Sequence, residues 1–125
     1  MRPEQTLHLA LDQGGHASRA LVFDGLGQLL ATGSVPIETL RNAEGHIEHD
    51  PDALIGSLRE AIAAACKELP VGSRIIAAGL ATQRSSMCCW HRHSGAALSP
   101  VISWQDRRNA AWLERLNPAA AAIRA

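Results

Sequence analysis

The sequence predicts an α/β fold, a mixed sheet that starts with a three-stranded antiparallel meander and is accompanied by helices. Three observations predict it. Three strand-like apolar runs with turn residues between them fill the first 36 positions, a capped amphipathic helix follows at 50–67, and a nearly continuous apolar run, RIIAAGLAT, occupies 74–82. Short apolar runs bounded by turn signals read as strands, whereas apolar residues recurring every three or four positions read as a helix.

Thr6 to Asp12 and Arg19 to Asp24 form the first two expected strands, around a turn of Gln13, Gly14, Gly15, His16, Ala17 and Ser18. Asp24-Gly25-Leu26-Gly27 supplies turn chemistry before a third strand at Gln28 to Val35. Residues 37–49 show no sustained period and contain Asn42 and Gly45, which reads as a connecting loop. Asp50 followed by Pro51 starts a helix, because Asp accepts from free N–H groups at the N-cap and Pro is tolerated at the first helical position. Leu54, Leu58, Ile62 and Ala65 then share one face, and the helix ends before Pro70. Arg74 to Thr82 suits a strand buried on both faces, at the centre of a sheet. Ser86 to Trp90 and Leu98 to Trp104 are further strand candidates, the second weakened by Pro100, and a helix is expected from about Asp106 to Leu116. Asn117-Pro118 then opens onto AAAAIRA, a helix start without a helix, so a fragment of a longer chain is expected.

At 125 residues, 46% hydrophobic and 19% charged, the chain has the size and composition of one domain, 1–125, that can bury a core. Twelve basic residues balance twelve acidic ones, which excludes a long-range field favouring nucleic acid or an anionic membrane. Cys66, Cys88 and Cys89 are odd in number and suit a reducing compartment, so a cytoplasmic location is expected. The first 15 residues lack the apolar stretch of a signal peptide, and no run of about 18 apolar residues would span a membrane.

Several clusters could carry chemistry. Asp12 ends a strand that turns through Gly14 and Gly15, and successive backbone N–H groups in such a turn can bind phosphate oxygens. Asp12 would then ligate Mg²⁺, an ion commonly held by one or two carboxylates together with substrate phosphates, and Arg19 could reach the same anion. A plain hairpin is the competing reading. Gln83-Arg84-Ser85-Ser86 follows the buried run, where the ends of central strands line a ligand crevice, and Arg84 could hold a hydroxyl or phosphate there or simply face solvent. Within Trp104-Gln105-Asp106-Arg107-Arg108, Asp106 could cap a helix and Trp104 could wall a pocket or lie in the core. Glu48-His49-Asp50 offers acid–base groups, although Asp50 already serves as a cap. Cys89, His91 and His93 share one face of a strand and define a zinc alternative, with buried thiols as the competing reading.

In this order, LALDQGxxxSRALVFD, GHIEHDP, GLATQRSS and SPVISWQDRR resemble the N-terminal part of the FGGY carbohydrate kinases, over residues 7 to about 116, and within that family the glycerol kinases look most similar. The resemblance implies a ribonuclease-H-like, actin-like ATPase lobe, part of a two-lobed protein with a cleft for ATP, Mg²⁺ and substrate. It implies that Asp12 organises Mg²⁺ and that Gly14, Gly15, His16, Ala17, Ser18 and Arg19 face the ATP phosphates. Gln83, Arg84, Ser85, Trp104 and Asp106 would form the acceptor side, for a small polyol or sugar. The family's general base lies in the second half of a full-length chain, so it is expected beyond Ala125 and no catalytic residue is assigned within these 125 residues, which alone should not turn over substrate. Two departures stand out. Gly15, His16 and Ala17 replace hydroxyl residues of the phosphate turn, and Ser85 stands where glycerol kinases place a polyol-binding glutamate, so glycerol is not the expected acceptor. Implied partners are the substrate and the remainder of the kinase chain; an apolar sheet face left by a missing lobe would favour self-association into a homo-oligomer. The alternative function is a non-catalytic actin-like domain that binds a ligand or partner.

Overall fold

The computed structural model describes residues 6–123. Its main sheet has four strands, β1 (Thr6–Gln13), β2 (Ala17–Phe23), β3 (Leu29–Pro36) and β6 (Arg74–Thr82), in the order β3-β2-β1-β6. The first three form the expected antiparallel meander, and β6 runs parallel to β1, which makes the sheet mixed. Between them come β4 (Leu40–Arg41), β5 (Ile47–His49) and α1 (Pro51–Lys67); after them come β7 (Val101–Ile102), α2 (Ala110–Glu114), a 3₁₀ turn at Asn117–Ala119 and α3 (Ala120–Ile123).

The strands alternate as half-buried strands should. Leu7, Leu9, Ala20, Val22 and Ala31 point inward to α1, while His8, Ala10, Arg19 and Thr32 point away. Helix α1 begins as its sequence dictates, with Pro51 at its start and the Asp50 carboxylate accepting from the Asp52 N–H at 2.9 Å. Its buried face is not the one the large apolar residues mark. Leu54, Ser57, Ala61 and Ala65 are buried, whereas Leu58 and Ile62 are only half-buried. The helix is rotated toward its small residues because it lies directly on β3 at Gly33, where any Cβ would overlap the Ala61 carbonyl. Close seating brings the Ser18 and Ser57 hydroxyls to 2.7 Å inside the core. Ser57 donates to the Leu54 carbonyl at 2.8 Å, so the Ser18 hydroxyl is the donor to Ser57 and both groups are satisfied.

Four expectations are corrected. Strand β6 is not at the centre of the sheet but at its edge, and all but one of its residues are exposed, including Ile76 and Leu80. Helix α1 covers β3 and β2 and barely reaches β1, so among the described residues an apolar run suited to a two-sided cover is left mostly bare, with only Ile75 packed against the core. Residues 37–49 are not loop alone: β5 pairs with β4 on one side and with β7 on the other in a second, three-stranded sheet. These strands are two or three residues long, too short to print a period. The segments 86–90 and 98–104 contribute only β7 and the isolated pairs Met87 with Ile102 and Trp90 with Ala97. Finally, the last long helix shortens to Ala110–Glu114: it starts after Asn109, and Asp106 lies before it, bonded to Ile47 and Arg108.

Asp106 is instead the centre of a clamp. Its carboxylate accepts from Arg108 Nε at 2.8 Å and Nη2 at 2.7 Å, and from the Ile47 N–H at 2.7 Å. Arg108 also reaches Glu48. One side chain thus fastens the loop after β7 to strand β5. The Arg108 hydrogen bonds hold the Asp106 carboxyl well below its ordinary pKa; burial opposes this, and the Ile47 N–H adds to the lowering. Among the described residues no helix is long and apolar enough to cross a membrane.

Two outcomes follow for urea unfolding of the protein. Gly33→Ala, which forces a methyl group into the Ala61 backbone, should lower stability by about 1–3 kcal/mol; an unchanged midpoint would mean that the helix does not sit on Gly33. Because the folded pKa of Asp106 is depressed, its contribution is complete above the ordinary carboxylate pKa and is lost as pH falls below it. The stability gap between wild type and Asp106→Asn should therefore shrink on acidification from about pH 5 to pH 2, and a gap independent of pH would contradict the clamp.

Candidate functional site

The site is assembled at one end of the sheet, where β1 turns into β2 and β6 ends at Thr82. Asp12 and Arg19 are register partners on neighbouring strands, on the face away from α1. Arg19 Nη1 lies 3.6 Å from Asp12 Oδ2, with both side chains about half exposed, so the pair is loose and a carboxylate oxygen stays available. Between the strands only Gly14, Gly15 and His16 form the turn.

The turn differs in two ways from the nest that its glycines suggest. Neither Gly14 nor Gly15 is in the left-handed region, and the Gly14 N–H is consumed by the Ala17 carbonyl at 3.0 Å. A Cβ on Gly14 would lie 3.2 Å from that same carbonyl, so the glycine serves close approach rather than an unusual φ. Ala17 and Ser18 belong to β2, and the Ser18 hydroxyl is wholly buried against Ser57, unable to reach a phosphate. The turn is braced from outside: the Ile37 N–H donates to the His16 carbonyl at 3.0 Å. The backbone N–H groups of Gly15 and His16 remain as the turn's donors.

At the end of β6, Arg84, Ser85 and Trp104 line an open pocket of about 440 Å³, inside the size range of small-molecule sites. Arg84 takes part in none of the three ion pairs among the described residues, so its guanidinium is free to bind. Trp104 is 58% exposed and lines the pocket, so it is not in the core of this portion. Ser85 is the one non-glycine residue with positive φ, 60°, among the described residues. That conformation costs an L-residue about 1–2 kcal/mol, and strain of this kind concentrates at binding sites. Asp106 stands two residues beyond Trp104, yet its oxygens are taken by Arg108 and Ile47; it holds the pocket wall in place and has no carboxylate to offer an acceptor.

Gln83 does not line the pocket. Its amide turns toward the β1–β2 turn, donating to the Gly14 carbonyl at 3.0 Å. Ser86, next to it, donates to Gln83 Oε1 at 3.2 Å and accepts from the Trp104 N–H at 3.1 Å. Sequence reasoning gave Ser86 no role at the site, and the second of two adjacent serines in a polar tetrapeptide carries no signal that would assign one. The other clusters disperse. Glu48 pairs with Arg108, Asp50 caps α1, and buried His49 donates from Nδ1 to the Glu38 carbonyl at 3.0 Å. His91 Nδ1 is occupied by Ser94, and no group of three or more His, Cys, Asp or Glu among the described residues could hold a metal ion, which sets the zinc alternative aside.

The family model described as "FGGY family of carbohydrate kinases, N-terminal domain" matches residues 7–123. The glycerol kinase of Allorhizobium ampelinum is 37% identical over 112 residues, covering 86% of this chain and 22% of its own length. That of Aromatoleum aromaticum is 38% identical over 112 residues, covering 89% of this chain and 23% of its own. Among solved structures, the gluconate kinase of Lactobacillus acidophilus superposes with a TM-score of 0.85 at 18% identity, over 96% of this chain and 24% of its own. The xyloylose kinase of Brucella ovis gives 0.77 at 28% identity, over 92% and 24%. The chain therefore spans less than a quarter of each of these proteins, and its mixed α/β architecture is that of part of an actin-like ATPase lobe. By its sequence, its matched model and its architecture, the chain belongs to the FGGY family of carbohydrate kinases.

Proposed function

We propose that this chain is the N-terminal part of an ATP-dependent kinase that transfers the γ-phosphoryl group to a hydroxyl of a small polyol or sugar other than glycerol. The observation that carries the reading is spatial: Gln83 joins the β1–β2 turn to the segment that bears the Arg84–Ser85–Trp104 pocket. A phosphate-facing element and an acceptor-sized pocket thus stand side by side. Phosphoryl transfer is largely positioning and charge neutralisation, so those two elements are what this portion has to supply.

In this reading the N–H groups of Gly15 and His16 face phosphate oxygens and Arg19 adds positive charge beside them. The half-exposed Asp12 carboxylate fits Mg²⁺, which would neutralise phosphate charge; it is a single protein ligand, so phosphates, water or the rest of the kinase complete the shell. Arg84 donates to acceptor hydroxyls and Trp104 covers their carbon face. Ser85 presents one short hydroxyl where a carboxylate would accept two, which disfavours glycerol. The general base comes from the portion of the kinase that follows.

The test is ATP consumption by the full-length protein that carries this segment, against a panel of polyols and ketoses. Turnover with a member other than glycerol is expected; nucleotide binding without turnover on any acceptor would favour a non-catalytic domain. Asp12→Ala should lower kcat at least about 100-fold while leaving the fold intact, and undiminished turnover would remove Asp12 from the metal role. Ser85→Glu should raise glycerol phosphorylation relative to the preferred acceptor by about tenfold or more; an unaltered preference would contradict the account of the pocket.

A further inference from the structure

We infer that Gln83 and Ser86 are positioning residues that tie the phosphate-facing turn to the acceptor wall, so that nucleotide and acceptor bind cooperatively. The inference rests on the kinase reading above for the identity of its two ligands, and on geometry for the link itself. The Trp104 N–H donates to Ser86 Oγ at 3.1 Å, Ser86 Oγ–H donates to Gln83 Oε1 at 3.2 Å, and Gln83 Nε2 donates to the Gly14 carbonyl at 3.0 Å. Every bond in this relay points the same way, and bonds in such a chain polarise and strengthen one another.

The direction is fixed by chemistry. Gln83 Nε2 faces two acceptors, the Gly14 carbonyl and, at 3.4 Å, Gln13 Oε1, so the opposite amide orientation would set oxygen against oxygen. With Oε1 then turned to Ser86, the serine proton must go to it, which leaves the serine oxygen to accept from Trp104. Each end is anchored independently. Gly14 is held by its bond to Ala17 and by Gln13 Nε2 at 2.9 Å, and the Trp104 segment by the Ser103 N–H donating to the Ile47 carbonyl at 2.9 Å. Movement of the turn on nucleotide binding therefore pulls on the backbone that carries the pocket wall. Gln83 and Ser86 touch neither ligand in this arrangement; they act through Gly14 and Trp104.

The experiment uses the full-length protein and has two arms. In the first, amide hydrogen exchange at Trp104 is read after the turn is perturbed with Gly14→Ala, which places a methyl group 3.2 Å from the Ala17 carbonyl. Exchange at Trp104 should accelerate by about fivefold or more, and the same substitution should add nothing in a Ser86→Ala background. No change at Trp104 would overturn the relay, whatever the protein's activity. In the second arm, a non-hydrolysable Mg–ATP analogue is titrated calorimetrically without and with saturating D-xylulose, xylitol or glycerol. Wild type should bind it at least about fivefold more tightly when an acceptor is bound. Gln83→Ala and Ser86→Ala should abolish that gain while nucleotide affinity alone stays within about twofold, and Ser86→Thr, which keeps the hydroxyl, should restore it. Coupling that persists in both alanine variants, or its absence in wild type with an acceptor bound, would overturn the inference. If none of the three acceptors binds, the kinase reading loses its support and the exchange arm alone decides the relay.

Discussion

The architecture depends on how closely α1 sits on the meander. Gly33 has no side chain to hold the helix away, the helix presents Ser57, Ala61 and Ala65 rather than its larger residues, and the Ser18–Ser57 hydrogen bond forms in the space that remains. That bond pins β2, and through it the register of β1. A strand that slips by one residue exchanges its two faces. Such a slip here would bury Asp12 and Arg19 and expose Leu9 and Ala20. The outward position of the candidate metal ligand is thus a consequence of packing on the opposite face of the sheet.

The pocket lined by Arg84, Ser85 and Trp104 is set by different means. The second sheet is too small to be held by its own ladders, and the Asp106–Arg108–Glu48 clamp fastens its strands and the loop after β7 together. Removing one partner of such a charged cluster strands the others, so the cluster acts as a unit. It leaves Trp104 exposed beside Arg84 and Ser85, and the strained backbone at Ser85 is tolerated within that frame. Packing fixes one half of the site and a half-buried charge cluster the other, with Gln83 and Ser86 between them.

Much of this was legible in the residues. The alternation in 6–35, the Asp50-Pro51 start and the apolar run at 74–82 specify the meander, α1 and the presence of β6, because each is a local pattern several residues long. The edge position of β6 was not legible, since an apolar run reports that a strand can be covered on both faces, not which elements cover it. The second sheet escaped because its strands are shorter than any period. At the site, the Asp12 and Arg19 side chains stand about half exposed and Arg84, Ser85 and Trp104 line a pocket, whereas Ser18 and Asp106 have their polar atoms consumed inside the fold. Sequence separation explains part of the difference: Ser18 meets Ser57 and Asp106 meets Ile47 through contacts 39 and 59 residues apart that no short motif encodes, while the local Asp106–Arg108 pairing is not distinguished by its spacing from a solvated arginine.

The central claim is that the turn between β1 and β2 holds the nucleotide phosphates with Asp12 at the metal. Paramagnetic broadening by Mn²⁺–ATP tests it most directly, read on the amide signals of the full-length protein. Asp12, Gly15 and His16 should broaden together and most strongly, with the effect falling off along the strands toward Leu26 and Gly27 in the turn at the opposite end of the sheet. Broadening centred elsewhere, or none at the turn, would contradict the account.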